Sequence, residues 1–367
     1  MLNLKTSKEK ILSYLNSKDC EVLELMNETA NYRENNLITF SKNVFIPLTE
    51  ICNNDCGYCN FKKTPDDKDV TLLKTKSEVL ASLKEAEKYG CKEALFTFGE
   101  DADCEEAVQI KLKELGYTDM VDYVCDICKM TLEETDLLPH TNGGNFSFEA
   151  LQKLKEVNAS MGMMLENSSE RLMNTIAHEK SPGKDPKRRL ETIANAGELK
   201  IPYTTGILIG IGETKEEIAD SLLAIRELYD KYGHIQEIII QNFTPTPDIR
   251  MSDMEEPTLL DMIRTVAAAK LLFKDTGVSI QVPPNLNYET SQIFLLCGAD
   301  DWGGVSPVSH DYVNPTSPWP TLDHLKRLTE DAGFELTERL CIYEKYFNEE
   351  WLNKELLDKI TNLSEHQ

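Results

Sequence analysis

From Val44 onward short apolar segments alternate with longer amphipathic ones, three cysteines cluster just after the first of them, and no repeat or Gly/Ser linker interrupts residues 37–340. Strand and helix in strict succession give parallel strands joined by right-handed crossovers. With close to eight such units, a closed (β/α)8 barrel is the expected architecture. A partial barrel of six units with extra C-terminal structure is the alternative. Residues 1–36 read as a helical leader, 37–340 as the barrel domain and 341–367 as a polar helical tail.

In the leader, Ile11, Leu12 and Leu15, then Val22, Leu23, Leu25 and Met26, form apolar stripes at helical spacing. The expected strands are 44–48, 93–97, 137–140, 159–164, 203–209, 237–241, 279–282 and a short one at 298–302. Between them the expected helices are 77–89, 104–115, 148–157, 186–196, 216–232 and 259–274. Thr214 and Glu217 have capping-box spacing, whereas Ser77 has Leu80 where the acid would stand.

The chain carries 63 acidic against 39 basic residues, a net charge of −24, so polyanions are repelled over most of its surface. Nucleic acid and acidic membranes are excluded as partners on that ground. The N-terminus lacks the apolar core and cleavage site of a signal peptide, and no apolar run reaches membrane-spanning length. A cytoplasmic location is expected. In such a chain ten cysteines read as metal ligands where clustered and as buried thiols where scattered, not as a disulfide framework.

The cluster is Cys52-x3-Cys56-x2-Cys59 in "EICNNDCGYCNF". A structural zinc site fills four tetrahedral positions, and this set is one ligand short. Three thiolates suit three irons of a [4Fe-4S] cluster, leaving the fourth iron open to a ligand. Gly57 and the polar Asn53, Asn54 and Asp55 allow a loop to wrap closely, and Tyr58 is placed to shield the cluster and stack beside a nucleoside. Zinc with a distant fourth ligand, from Cys91, His140 or the Cys125/Cys128 pair, is the competing reading. Cys125 and Cys128 share one helix face in "CDIC", as buried thiols or as a redox or second metal pair.

A CxxxCxxC loop after the first strand of such a barrel resembles the radical S-adenosylmethionine (SAM) superfamily. The resemblance implies SAM bound through its methionine amino and carboxylate groups at the open iron. It also implies a low-potential electron donor and a 5'-deoxyadenosyl radical. "FTFGE" resembles the superfamily's Gly-Gly-Glu segment, giving Gly99 and Glu100 a role at the methionine ammonium, although Phe98 stands where the first Gly is usual. Glu166, ending "MGMMLE", falls where ribose contacts are common. "TTGILIGIGET" matches Gly-x-Ile-x-Gly-x-x-Glu at Gly206, Leu208, Gly210 and Glu213, with Leu in the Ile place. Its bland reading is a strand turning through Gly into a helix.

Longer stretches, "NVFIPLTEICNNDCGYCNF", "LPHTN", "QVPPNLN" and "GADDWGGVSPVSHDYVNPTSPWP", resemble the first-subunit family of 7,8-didemethyl-8-hydroxy-5-deazariboflavin (FO) synthases over most of residues 38–345. That family makes the chromophore of coenzyme F420. The resemblance implies a second radical SAM subunit as partner, which joins tyrosine to 5-amino-6-(D-ribitylamino)uracil. The first subunit then acts as a lyase on the small-molecule 4-hydroxybenzyl adduct, closing the deazaflavin ring and releasing ammonia. Gln241, Asn242, Asn285, Asp300, Asp301 and Trp302 become candidates for substrate contact, although Asn and Asp are also common turn formers and Trp302 a core residue. His140 in "LPHTN" is a candidate proton acceptor or a structural histidine.

Two departures stand in loops: Gly143 where the family often has Pro after "PHTN", and "TPTPDIRM" at 244–251 where it has a "KPGTPM"-like segment. The alternatives are the second FO synthase subunit, or the menaquinone-pathway aminofutalosine and cyclic dehypoxanthine futalosine synthases, from which the "DDWGGVSPV" stretch separates this chain. A non-catalytic iron-sulfur or zinc scaffold is the alternative of another class.

Overall fold

The computed structural model describes residues 4–18, 20–33 and 35–365. Helices α1 (Leu4–Leu15) and α2 (Glu21–Ala30) precede the first strand and pack against the outer helices α8 (Lys215–Tyr232) and α9 (Leu259–Phe273). The strands are β1 (Leu37–Thr49), β2 (Glu93–Phe98), β3 (Leu138–Asn142), β4 (Ser160–Gly162), β5 (Tyr203–Ile209), β6 (Ile235–Asn242), β7 (Ser279–Gln281), β8 (Asp301–Val305) and β9 (Glu335–Arg339). Each of β1 to β8 pairs in parallel with the next, and β1 pairs with both β2 and β8, so eight strands close into a barrel. The six-unit alternative does not hold.

The remaining helices are α3 (Lys76–Lys88), α4 (Glu106–Leu115), α5 (Met120–Glu134), α6 (Phe148–Lys155), α7 (Pro186–Glu198), α10 (Ser291–Leu296), α11 (Leu322–Asp331) and α12 (Lys354–Ser364). The Thr214/Glu217 capping box starts α8 as expected. For α3 the expected Ser77 start is wrong: the box is two residues earlier, Thr75 with Glu78. No helix among the described residues is long and apolar enough to cross a membrane.

Three departures from the expected pattern matter for the site. First, β1 begins at Leu37, because its first five residues pair with β9, a strand whose half-buried, charge-rich "ELTER" gives no apolar signal. Second, the eighth strand starts at Asp301 and does not end at Trp302. Gly298, at φ 106°, turns the chain out of α10 first. Third, the segment after β9 returns to the barrel: the Cys341 carbonyl accepts from Ser160 and Gln236, and Tyr343 Oη donates to Asp301. The floor at the strands' N-terminal ends is therefore closed by Arg339 and its neighbours. The cavity opens at the other end, where the βα loops converge.

Candidate active site

β1 delivers the cysteine loop to the barrel mouth, and four backbone bonds hold it there. Asn53 N–H donates to Glu100 O (2.9 Å), Asp55 to Lys180 O (3.0 Å), Gly57 to Ala177 O (2.9 Å), and Met251 to Gly57 O (2.9 Å). The divergent 244–251 loop is thus a clamp on the cysteines: Arg250 also bonds Asp55 O, and Thr246 bonds Asn60. Two glycines make the fit possible. A Cβ at Gly57 would lie 2.3 Å from Ile176 O, and one at Gly99 only 1.8 Å from Ile51 O.

Cys52, Cys56 and Cys59 line one cavity of about 340 Å³ that runs down the barrel axis. Burial pushes the Cys52 thiol up and Cys59 to about 12, with Cys56 adding to both. Of the expected alternative fourth ligands, Cys91 and Cys128 are engaged elsewhere. Cys91 Sγ meets Asn43 O at 3.3 Å, and Cys128, within α5, sits against Thr141 and Asn158. Among the described residues no three Cys, His, Asp or Glu side chains converge tightly enough for one metal ion. Three thiolates that each hold a different iron need no common centre, so the donor set fits an iron-sulfur cluster better than zinc.

Beside the thiols lies a buried polar hub. Glu100 accepts from Asn54 Nδ2 (3.0 Å), Arg189 Nη1 (3.2 Å) and Asn145. Arg189 continues to Met164 O and Gly183 O, at 2.8 and 3.0 Å. Glu166, held at φ 64°, pairs with Lys184 at 2.6 Å. Burial opposes its charge, but Lys184 and Arg189 overcome that and hold it below the usual carboxylate range. Tyr58 Oη lies 3.0 Å from His178 Nε2. Burial, with the Lys184 charge adding to it, pushes His178 down to about 3, so that ring is neutral.

Arg189, Lys184 and His178 were missed by the sequence reading, and Asn54 was read only as a polar residue of the cysteine loop. Arg189 left a signal: it occupies the apolar stripe of α7, in step with buried Pro186, Ile193 and Ala196, where a surface arginine would not stand. The two anomalies Phe98 and Gly143 prove to be one. A Cβ at Gly143 would sit 2.2 Å from Phe98 Cζ, so the glycine makes room for the ring that replaces the first glycine of the Gly-Gly-Glu segment.

His140 lines the cavity, and its neighbours fix its proton. The Ser160 hydroxyl donates its one hydrogen to Cys341 O (2.7 Å), so at 2.7 Å from His140 Nδ1 it must accept. Nδ1 therefore carries the hydrogen and Nε2 is bare, beside Gly162, whose missing Cβ would lie 3.0 Å away. Burial, helped by Arg339, pushes this histidine down to about 3. It is a neutral ring with a free lone pair at the cavity wall.

The other expected residues divide. Gln241, Asn242 and Asn285 line the cavity with Tyr58, Gly99, Glu100 and Glu166. Asp300, Asp301 and Trp302 do not: Asp300 precedes β8 and Asp301 and Trp302 start it, at the floor end of the strand and not at the mouth. Asp300 pairs with Lys270 at 2.7 Å, Asp301 is gripped by Arg339, and Trp302 Nε1 donates to Thr329 within the core. Gly206, Gly210 and Glu213 also lie outside the cavity wall. Gly206 allows the close approach of Ile239, and Glu213 caps the Gly210 and Ile211 N–H groups at the turn into α8.

A closed parallel barrel with three thiols and an acid hub at its mouth is the architecture of a radical SAM protein, and residues 46–225 match the radical SAM superfamily. Two solved structures share the fold. The FeFe-hydrogenase maturase HydG from Carboxydothermus hydrogenoformans aligns at TM-score 0.74 and 16% identity, covering 98% of this chain and 85% of that one. Methylornithine synthase (PylB) aligns at 0.71 and 16%, covering 90% and 94%. The chain is 79% identical over 339 residues to a 7,8-didemethyl-8-hydroxy-5-deazariboflavin synthase of Methanobrevibacter smithii, covering 92% of this chain and all (100%) of that one. It is 50% identical over 358 residues to the synthase of that name from Methanocaldococcus jannaschii, covering 97% and 98%. The chain belongs to this family of radical SAM enzymes, whose membership implies an iron-sulfur cluster and SAM.

Proposed function

We propose that the protein is the first subunit of FO synthase, a lyase converting 5-amino-5-(4-hydroxybenzyl)-6-(D-ribitylimino)-5,6-dihydrouracil to FO with release of ammonia. Cys52, Cys56 and Cys59 would hold a [4Fe-4S] cluster. When bound, that cluster supplies the electron that cleaves SAM to methionine and a hydrogen-abstracting 5'-deoxyadenosyl radical. Asn54, Asn145 and Arg189 fix Glu100 so that its carboxylate presents acceptor oxygens to the methionine ammonium. Glu166 and Tyr58 flank the nucleoside end. His140 Nε2, unprotonated and facing the cavity, accepts a hydrogen bond from the substrate and orients it as the ring closes and ammonia leaves. The enclosing barrel keeps bulk water from the radical.

The observation that carries this reading is the continuity of one cavity from the three thiols to His140 and the polar floor. A second, partner subunit supplies the adduct and a low-potential donor supplies electrons. Mixing the cluster-loaded protein with that partner, tyrosine, ribitylaminouracil, SAM and dithionite tests the assignment. Deazaflavin fluorescence supports it. Deoxyadenosine without fluorescence moves the chain to another substrate within the superfamily.

A further inference from the structure

We propose that the deep end of the cavity, floored by Asn43, Gln281 and Arg339, is a subsite for a polyhydroxylated chain, which in the reaction proposed above is the ribityl group. The subsite is built by the "DWGG" segment. A Cβ on Gly304 would lie 2.1 Å from Asn43 Nδ2, and one on Gly303 2.1 Å from Gln281 Nε2. Those two glycines therefore let two carboxamides lie flat over β8 at the base of the cavity. Asn43 is 1% exposed, yet its Oδ1 has no hydrogen-bond partner among the described residues, and neither has Thr97 Oγ1 on the next strand. A buried polar atom left unpaired beside a cavity marks a place for a ligand's hydrogen-bonding group.

The charges around the floor select the ligand class. Arg339 is the cation among Glu93, Glu237 and Asp301, bonding Asp301 at 2.6 and 2.8 Å and Glu237 at 3.1 Å. A phosphate or carboxylate entering here would meet Glu93 and Glu237 in the wall and a guanidinium whose N–H groups are already taken by Asp301 and Glu237. An ammonium would serve the acceptors but leave the Asn43 and Gln281 N–H groups unpaired. Hydroxyls donate and accept at once, so a chain of them matches the carboxamide and carboxyl partners at the floor. At the mouth Tyr58, Phe98 and Trp319 stand beside the polar hub and offer faces for the flat rings of a substrate, which leaves its hydroxylated chain to point down.

The ribityl assignment rests on the proposed adduct as substrate, so binding is measured apart from turnover. Calorimetry on the cluster-loaded protein with SAM and no reductant measures Kd for the ribityl adduct and for an analogue with hydroxyethyl in place of ribityl. The native protein is expected to favour ribityl at least roughly 30-fold, since a site built to bond hydroxyls rejects an analogue lacking them. Asn43→Ala and Gln281→Leu, each opening or preserving space, are expected to reduce that ratio below about threefold. A native ratio under threefold, or variants that keep the full ratio, overturns the subsite. Adding reductant then tests the reaction separately: a large Kd ratio with no deazaflavin retains the polyol subsite and removes the assigned chemistry.

Discussion

Replacing Ser160 by Ala should slow deazaflavin formation while leaving SAM cleavage intact. Among the described residues the Ser160 hydroxyl alone bonds His140 Nδ1, accepting from the ring and donating to Cys341 O, both at 2.7 Å, and so keeps the hydrogen on Nδ1. In Ser160→Ala the carbonyl keeps Gln236 Nε2 at 3.0 Å, so the backbone is not orphaned, but Nδ1–H loses its acceptor in a buried setting. Leaving a buried donor unpaired costs about 1–3 kcal/mol. The ring escapes that cost by moving the hydrogen to Nε2, which removes the lone pair facing the cavity. With a tenfold rate change per about 1.4 kcal/mol, kcat should fall roughly 5- to 150-fold. The assay follows FO fluorescence and 5'-deoxyadenosine together from the purified adduct, and Ser160→Thr, which keeps the hydroxyl, should recover most of the rate. An unchanged kcat, or equal losses of FO and deoxyadenosine, would refute the tautomer argument.

Three further outcomes follow from the geometry. Arg189→Met removes the cation from Glu100, and because the two side chains are only 3% and 5% exposed, the loss should destabilise the fold by about 3–5 kcal/mol and weaken SAM binding; urea unfolding and SAM titration measure these, and a change under about 1 kcal/mol contradicts the hub. Gly143→Ala should cost about 1–3 kcal/mol through its clash with Phe98, and in the Phe98→Ala background most of that cost should vanish; additivity within about 0.5 kcal/mol across the cycle would refute the coupling. His234, pushed by burial from 6.5 down to about 4, binds fewer protons folded than unfolded, so its contribution is complete above pH 6.5 and is lost as pH falls toward 4. Between about pH 7 and 5.5 that loss is about 1.2 kcal/mol, so His234→Gln should flatten the stability profile by this amount in urea midpoints, and an unaltered profile contradicts it.

What could be read in the sequence was local. The cysteine loop announced itself because ligand spacing and the preceding strand are adjacent in the chain. The seven buried residues of β5, YTTGILI, were placed to the residue, Tyr203–Ile209. The failures involve pairings across long sequence separations. β9 is recognisable only through its pairing with the start of β1, and the His140 tautomer only through a carbonyl 181 residues beyond Ser160. The eighth strand was expected at 298–302, but Gly298 at φ 106° first turns the chain out of α10 and the strand runs Asp301–Val305. That shift carried Asp300, Asp301 and Trp302 from the mouth to the floor. The motif they belong to still bears on function, through Gly303 and Gly304, whose missing side chains shape the cavity.

In the proposed function three thiols arm one cavity in which SAM is cleaved and a ribityl-bearing adduct becomes FO. Its most direct test is the ratio of 5'-deoxyadenosine to FO, measured by chromatography on anaerobically reconstituted protein given SAM, dithionite and the purified adduct. The two products should rise together in a fixed ratio, and Cys52→Ala should yield neither. Absence of deoxyadenosine from the native protein, or FO formed by Cys52→Ala, would contradict the account.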